Sequence, residues 1–274
     1  NDFEWHWYHF TGTDFDAKSR RSGIYLIQGD NKGWANDELV DSENGNYDYL
    51  MYADLDFKHP DVIKNLYDWA RWFIETTGIQ GFRLDAVKHI DSFFMANFIR
   101  DILQEYGDDF YVFGEFWNND EAANNDYLEN IDYRFDLVDV KLHTNLFEAS
   151  QKGEEYDLRT IFDHTLVKNH PESAVTFVEN HDTQRGQALE STVEEWFKPA
   201  AYALILLRES GLPCIFYGDY YGISGEFAQQ DFREEIDKLL DLRLNLAYGE
   251  ETDYFDDPNC IGWTRAGQEG SQPI

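Results

Sequence analysis

From His59 onward, short apolar runs alternate with segments of helical periodicity, and this alternation limits the fold more than any other feature. The apolar runs predict five strands, at residues 81–84, 110–113, 135–140, 174–178 and 214–217. Helices are predicted between most of them, beginning near residues 60, 91 and 157 and spanning 194–210. Strands that alternate with helices pair in parallel. We therefore expect an α/β protein, either an open doubly wound sheet or the last five units of a (β/α)₈ barrel.

The two ends of the chain differ from this region in composition and periodicity. Residues 1–58 are rich in Gly, Asn, Asp and Tyr and show little periodicity, which predicts a functional loop region or a small subdomain. Residues 264–274 are polar and contain two Gly and a Pro, which is typical of a linker or a cut end. The expected division is 1–58, 59–263 and 264–274.

The charge balance restricts the partners of the chain. Lys and Arg number 22 against 54 Asp and Glu, a formal net charge of −32. This negative charge repels nucleic acid and anionic membranes but does not oppose the binding of a neutral substrate. No apolar stretch approaches the ~18 residues of a membrane span, and no phosphate-binding glycine motif occurs. The two cysteines suggest neither a disulfide framework nor a zinc site, which slightly favours a cytoplasmic over a secreted protein.

Acidic residues follow four of the five predicted strands: Asp85, Glu115, Asp182 and Asp219. In a parallel barrel these positions share the carboxyl-terminal face, where active sites are built. Several carboxylates on one rim suit glycoside hydrolysis, in which one acid is the nucleophile and another the acid/base. The alternative interpretation is that each acid caps the helix that follows it.

Neighbouring residues favour the catalytic interpretation. Arg83 lies two residues before Asp85, so both side chains point to one face of a strand, and the guanidinium would keep Asp85 ionised. Glu115 lies between Gly114 and the aromatic Phe116, and an apolar surrounding would raise the pKa of a general acid. His181, beside Asp182, offers a hydrogen-bond donor to a sugar hydroxyl.

These residues resemble motifs of the α-amylase family of glycoside hydrolases, and especially of the liquefying bacterial α-amylases. The three motifs are GFRLDAVKH (81–89), GEFW (114–117) and FVENHDTQ (177–184). Four further segments strengthen the resemblance: NGNYDYLMYAD (44–54), LESTV (189–193), WFKP (196–199) and FYGD (216–219). The resemblance covers nearly the whole chain and implies a (β/α)₈ barrel, here incomplete, preceded by an irregular β-rich inserted subdomain.

The resemblance also implies an activity and the residues that perform it. The expected reaction is retaining endo-hydrolysis of α-1,4 bonds in starch and related α-glucans by a monomeric enzyme. Asp85 matches the nucleophile, Glu115 the acid/base and Asp182 the carboxylate that stabilises the transition state. The residues that match substrate-binding positions are Arg83, Lys88, His89, Trp117 and His181.

Structural calcium is a further implication of the resemblance. Asp48, Asp54 and the backbone carbonyl of His89 match calcium ligands, and Asp37 matches a ligand of an associated metal cluster. Hard oxygen ligands of this kind suit calcium. Thr11 occupies a position where close relatives carry an aspartate ligand, which leaves the second calcium of the cluster open.

The chain departs from the family by lacking the first three β units and the C-terminal β-sandwich. We expect it to be part of a longer protein and to be unstable or inactive alone, because an open remnant exposes strand edges. Two enzyme alternatives share the same acids: a relative that makes defined maltooligosaccharides, and a transglycosylase. A non-catalytic relative is a third alternative, disfavoured because all three acids are intact.

Overall fold

The structure is a computed structural model that describes residues 3–30, 32–33, 51–268 and 274. The chain divides into two compact units. The first comprises Asn1–Trp117 with Asn125–Phe135, and the second comprises Asn118–Asn124 with Asp136–Ile274. The division into 1–58, 59–263 and 264–274 follows other boundaries and stays a prediction.

The first unit begins with an antiparallel sheet. Its strands are β1 (Phe10–Asp16), β2 (Arg21–Leu26) and β3 (Ala53–Leu55), in the order β2-β1-β3. Gly12 pairs with Leu26 on one side and with Asp54 on the other. This sheet gives the β-rich character that was expected of the N-terminal region.

Two β/α repeats follow in the first unit. They consist of α1 (Pro60–Thr77), β4 (Gly81–Leu84), α2 (Ser92–Tyr106) and β5 (Tyr111–Gly114), and β4 and β5 pair in parallel. Helix α1 starts where the His59 ring accepts the Asp61 N–H and ends at Gly78, whose φ of 70° suits a residue without a side chain. Asp91 caps α2 by accepting the Phe94 N–H. The helices predicted to begin near residues 60 and 91 are thus present.

The helices of the first unit pack through their apolar faces. Val62, Ala70 and Ile74 of α1 are buried, as are Met95, Phe98, Ile99 and Ile102 of α2. The Tyr67 hydroxyl donates to Asp101 at 2.9 Å, and burial together with this bond raises the Tyr67 pKa to about 12. Helix α3 (Glu121–Asn130) follows β5 and has residues in both units.

The second unit contains three parallel strands and their helices. In chain order its elements are β6 (Asp136–Val138), α4 (Val140–Lys152), α5 (Leu166–Asn169), β7 (Ala174–Phe177), α6 (Lys198–Leu206), β8 (Leu212–Cys214), α7 (Tyr217–Tyr221), α8 (Arg233–Asn245), β9 (Glu251–Asp257) and β10 (Cys260–Arg265). Strands β6, β7 and β8 pair in parallel in that order, whereas β9 and β10 form an antiparallel hairpin. Every residue of β7 is buried.

Several predicted elements differ from the structure. The helix predicted to begin near residue 157 is not continuous, since Leu158–Thr160 is a 3₁₀ helix and α5 covers only Leu166–Asn169. The strand predicted at 135–140 is limited to Asp136–Val138, because α4 begins at Val140.

The predicted helix at 194–210 is shorter, since α6 spans only Lys198–Leu206. Pro199 explains its start, because proline belongs in the first helical turn and disfavours helix before it. The last strand ends at Cys214 rather than at residue 217, where Tyr217 already begins α7.

Among the described residues, no helix is both long and apolar enough to span a membrane.

Candidate active site

Asp85 and Glu115 follow the ends of two paired strands of the first unit. The register pairs Arg83 with Phe113 and Leu84 with Gly114. The Glu115 N–H donates to the Leu84 carbonyl at 2.8 Å, and the Val87 N–H donates to the Glu115 carbonyl at 3.0 Å. Parallel pairing therefore places the two acids side by side at the carboxyl ends of β4 and β5.

The Arg83 guanidinium contacts both of these acids. Its Nη1 forms an ion pair with Asp85 Oδ1, and its Nη2 lies 3.3 Å from Glu115 Oε1. The Asp85 side chain is 71% exposed, whereas that of Glu115 is 9% exposed. One carboxylate thus faces solvent beside a fixed cation and the other is enclosed, an environment difference that gives two acids different roles.

The backbone around Glu115 holds its carboxyl group in place. Ala86 has a positive φ of 47°, which is uncommon for a residue with a side chain and is typical of functional sites. From this conformation its N–H donates to Glu115 Oε2 at 3.1 Å. Glycine is required at 114, because a Cβ there would lie 2.7 Å from the Phe135 ring.

The other predicted substrate-binding residues of the first unit lie near this pair in sequence. Lys88 and His89 are on the short 3₁₀ helix Val87–His89 that begins two residues after Asp85. His89 is buried, whereas Lys88 and Trp117 are partly exposed. Their roles in substrate binding stay predictions.

Asp182 belongs to the second unit, in a turn that follows β7. Asn180 Oδ1 accepts the N–H groups of Asp182 at 2.9 Å and of Thr183 at 3.0 Å. The Asn180 N–H in turn donates to the Thr183 hydroxyl at 2.9 Å. His181 Nε2 lies 3.2 Å from Asp182 Oδ2, so the two predicted residues are in direct contact. The Asp182 side chain is 34% exposed, accessible to a ligand but held by a closely bonded turn.

Beneath this turn lies a buried ion cluster, which we define as Glu179, Lys198 and Asp219. Lys198 Nζ forms ion pairs with both acids, and all three side chains are fully buried. Sequence analysis noted Asp219 as an acid that follows a strand but missed the cluster. The available signal was Lys198 itself, because a lysine within an apolar helix must be paired when it is buried.

The pKa values of two side chains near this turn are shifted strongly. Burial raises the Glu179 pKa to about 7; the Lys198 charge opposes the shift and the Asp219 charge adds to it. Burial lowers the His143 pKa to about 4, so this ring is neutral. His143 Nδ1 lies 2.8 Å from the Val178 carbonyl, which only accepts, so Nδ1 carries the proton. Its Nε2 is 2.8 Å from the Ser191 hydroxyl, which ties α4 to the segment after β7.

Two of the predicted metal ligands are described by the structure. Asp54 lies on β3, where its Oδ2 accepts a hydrogen bond from the buried Thr11 hydroxyl of β1. The second is His89, on the 3₁₀ helix after β4. Asp48 and Asp37 lie outside the described residues. The group at Asp54 is therefore a carboxylate beside a neutral hydroxyl, both of which are hard oxygen donors.

A different histidine cluster in the first unit resembles a metal site but does not suit one. His9, His59 and Asp61 bring potential ligand atoms within 4.8 Å of one another. However, His9 Nδ1 accepts the His6 N–H at 2.9 Å, and His59 Nδ1 accepts the Asp61 N–H at 3.2 Å. Each neutral ring then carries its proton on Nε2 and has no lone pair left for a metal. We interpret this cluster as structural.

Parallel β/α repeats with carboxylates directly after the strands define a class of protein, the α/β proteins whose chemistry lies at the carboxyl ends of barrel strands. A family model described as "Alpha amylase, catalytic domain" matches residues 2–266, and the chain belongs to this family. The family match confirms the predicted incomplete (β/α)₈ barrel over the doubly wound alternative, and the parallel pairing agrees with it.

Individual relatives agree with this assignment. A glucan 1,4-alpha-maltohexaosidase of Bacillus sp. (strain 707) is 49% identical over 97% of this chain and 51% of its own length. An alpha-amylase of Geobacillus stearothermophilus is 47% identical over 97% of this chain and 48% of its own length. A crystal structure of an Anoxybacillus alpha-amylase matches with a TM-score of 0.61 and 26% identity, over 80% of this chain and 52% of that chain. The chain thus spans about half the length of the curated relatives it matches.

Proposed function

We propose that the protein is a retaining endo-α-amylase that hydrolyses α-1,4 bonds in starch, glycogen and related α-glucans. The observation that carries the proposal is Arg83, whose guanidinium contacts both Asp85 and Glu115 within a chain of the α-amylase family. Asp182 is the third acid of the proposed site. A neutral glucan is compatible with the net charge of −32, which disfavours nucleic acids and anionic membranes as partners. The proposed enzyme is a monomer.

The first step forms a covalent intermediate. Glu115, in its protonated form, transfers its proton to the glycosidic oxygen as the bond from that oxygen to C1 breaks. A carboxylate oxygen of Asp85 attacks C1 and forms a glycosyl ester, while the leaving glucan departs with the proton. The exposed position of Asp85 beside the Arg83 guanidinium suits a nucleophile that meets substrate.

The second step returns both acids to their starting states. The Glu115 carboxylate removes a proton from water, whose oxygen attacks C1 and breaks the ester to Asp85. Two inversions at C1 retain its configuration. Asp182 and His181 hydrogen-bond sugar hydroxyls at the cleaved residue, whereas Lys88, His89 and Trp117 bind the leaving-group side.

Calcium is proposed as a structural ion of the N-terminal region. Asp54 and the His89 carbonyl would hold it together with Asp48, and Asp37 would serve an associated metal. The oxygen donors at Asp54 and Thr11 fit a hard cation. Its contribution is to the stability of the fold around the active site.

The direct test compares starch cleavage by wild type, Glu115→Gln and the exposed control Glu129→Gln, using the full-length protein with calcium. We expect the wild type and the control to release reducing sugar at equal rates and Glu115→Gln to lose about 10³-fold, since general acid–base catalysis contributes roughly 10²–10⁴. Equal rates for all three would refute the site assignment. No cleavage by wild type would make the protein a binding relative or an enzyme for another α-glucan.

A second candidate is an enzyme that releases maltooligosaccharides of defined length. The relative that is 49% identical is named a glucan 1,4-alpha-maltohexaosidase, which favours this alternative. Chromatography of early starch products separates the candidates, because a ladder of lengths indicates random endo-cleavage and a single dominant length indicates defined release.

A further inference from the structure

The buried ion cluster has one acid more than its cation can neutralise. Lys198 supplies a single positive charge to Glu179 and Asp219, and all three side chains are fully buried. With both acids ionised the cluster carries a net negative charge away from water, which is costly. Retaining one proton removes that charge.

The hydrogen bonds decide which acid holds the proton. Asp219 accepts from three donors: Lys198, the Tyr202 hydroxyl at 2.6 Å and Gln229 Nε2 at 2.6 Å. Glu179 accepts from Lys198 through Oε2, and its Oε1 has no hydrogen-bond partner among the described residues. Since hydrogen bonds to a carboxylate favour its charged form and Glu179 accepts fewer of them, Glu179 is the acid that takes the proton. The elevated Glu179 pKa agrees with this assignment.

Other groups around Glu179 do not supply the missing charge. His143, on α4, is neutral and bonded to Val178 and Ser191. The Thr192 hydroxyl donates to the Thr183 carbonyl at 3.1 Å and has only a minor effect on the Glu179 carboxyl. From α6 and α7 the titratable groups that face the carboxyl are Lys198, Tyr202 and Asp219. Protonation of Glu179 itself is therefore the way in which the cluster reaches neutrality.

The cluster is connected to Asp182 by a short and rigid stretch of backbone. Glu179 follows the buried Val178 and directly precedes Asn180, whose side chain accepts the Asp182 N–H. On the far side of the turn, the Ser191 N–H and the Thr192 hydroxyl both bond the Thr183 carbonyl. Because β7 is fully buried on one side of Glu179, a displacement of its side chain is transmitted towards the turn.

We propose that Glu179 is a positioning residue for Asp182, and that loss of its proton from the buried ion cluster displaces the Asp182 turn and limits activity on the alkaline side. The proposal rests on the proposed function, in which Asp182 stabilises the transition state. It makes Glu179 a determinant of the pH range of the enzyme without contact with substrate.

The test is the pH profile of kcat for the full-length wild type and Glu179→Gln. Glutamine is a neutral isostere of the protonated acid, so its carbonyl still accepts from Lys198. We expect kcat within about threefold of wild type at low pH and an alkaline midpoint moved up by at least roughly 0.5 pH units. Glu172→Gln, an exposed acid just before β7, is the matched control and should leave the profile unchanged.

The outcomes separate the inference from the function on which it rests. A Glu179→Gln profile that superimposes on wild type, with Asp182→Asn inactive, would leave the function standing and overturn the inference. Full activity of Asp182→Asn would instead reject the role of Asp182 in the proposed function. If circular dichroism shows that Glu179→Gln does not fold, the pH profile of Glu179→Met becomes the test, because this variant also leaves a one-to-one Lys198–Asp219 pair. An unchanged alkaline midpoint in that variant would likewise overturn the inference.

Discussion

Thr11 puts a neutral hydroxyl where the resemblance leads one to expect a charged metal ligand. The hydroxyl is buried on β1 and donates to Asp54 Oδ2, so it satisfies one oxygen of a proposed calcium ligand from within the protein. Carboxylate count is a main determinant of calcium affinity. A site with threonine here is therefore expected to bind calcium more weakly than one with aspartate, but to fold more readily without it.

Thr11→Asp tests this account of the proposed calcium site. With calcium present the variant should bind the ion roughly tenfold more tightly, because a second carboxylate joins Asp54. With a chelator its melting temperature should fall below wild type, because a carboxylate at the buried position 11 then repels the Asp54 carboxylate. Calorimetry with calcium or chelator measures both effects, and the exposed Ser22→Asp on β2 is the control. A melting temperature for Thr11→Asp that is independent of calcium would contradict the assignment.

The positions of the proposed catalytic acids after apolar strands were predictable from sequence, whereas several contacts around them were not. Asp85 and Glu115 follow apolar runs within motifs of adjacent residues, so a local pattern identifies them. Lys198, by contrast, acts through partners 19 and 21 positions away, and only the fold brings them together. The sequence also does not indicate that Arg83 contacts Glu115 as well as Asp85, because that contact depends on the β4–β5 register.

Asp139 shows how one side chain organises two elements of the second unit. It lies between β6 and α4 and is 1% exposed. Its Oδ1 accepts the Leu142 N–H of α4 at 2.9 Å, and its Oδ2 accepts the Val167 N–H of α5 at 2.8 Å. Burial raises the Asp139 pKa, while the bonds from Val167 and Leu142 oppose that shift. The carboxyl group therefore caps α4 and fixes α5 beside it.

Asp139→Ala should lower the free energy of unfolding by about 3 kcal/mol, because two backbone N–H groups lose their acceptors in a buried place. Asp157→Ala is the matched control, since Asp157 accepts the Arg159 N–H at 3.1 Å but is about one-third exposed. The control should cost clearly less, because water can replace the lost acceptor at an exposed site. Urea unfolding measures both values, and equal losses in the two variants would contradict the role given to Asp139.

At the scale of elements, periodicity predicted two amphipathic helices but missed α4, although α4 also buries an apolar face. Helices α1 and α2 carry clear apolar faces and stop at Gly78 and Gly107, so their bounds were predictable. The β9–β10 hairpin was missed because β9 is mostly exposed and acidic, without an apolar alternation. Its packing depends on Arg208, which lies over the rings of Phe162, Phe255 and Trp263, a set assembled from distant segments.

The chain belongs to the α-amylase family and spans about half the length of the curated relatives it matches. Asp85 and Glu115 lie in one compact unit and Asp182 in the other. Each acid is held by contacts inside its own unit: Arg83 and the Ala86 N–H for the first two, and Asn180 and His181 for the third. The central claim of the proposed mechanism lies within the first unit, where Asp85 is the nucleophile and Glu115 the acid/base.

The most direct test of that claim is the configuration of the first product. Proton NMR of the full-length protein acting on a maltooligosaccharide distinguishes the α from the β anomer before mutarotation mixes them. The account predicts that the α anomer appears first, because Asp85 forms a glycosyl ester that water then displaces. Initial appearance of the β anomer would mean direct displacement by water and would contradict the role of Asp85 as nucleophile.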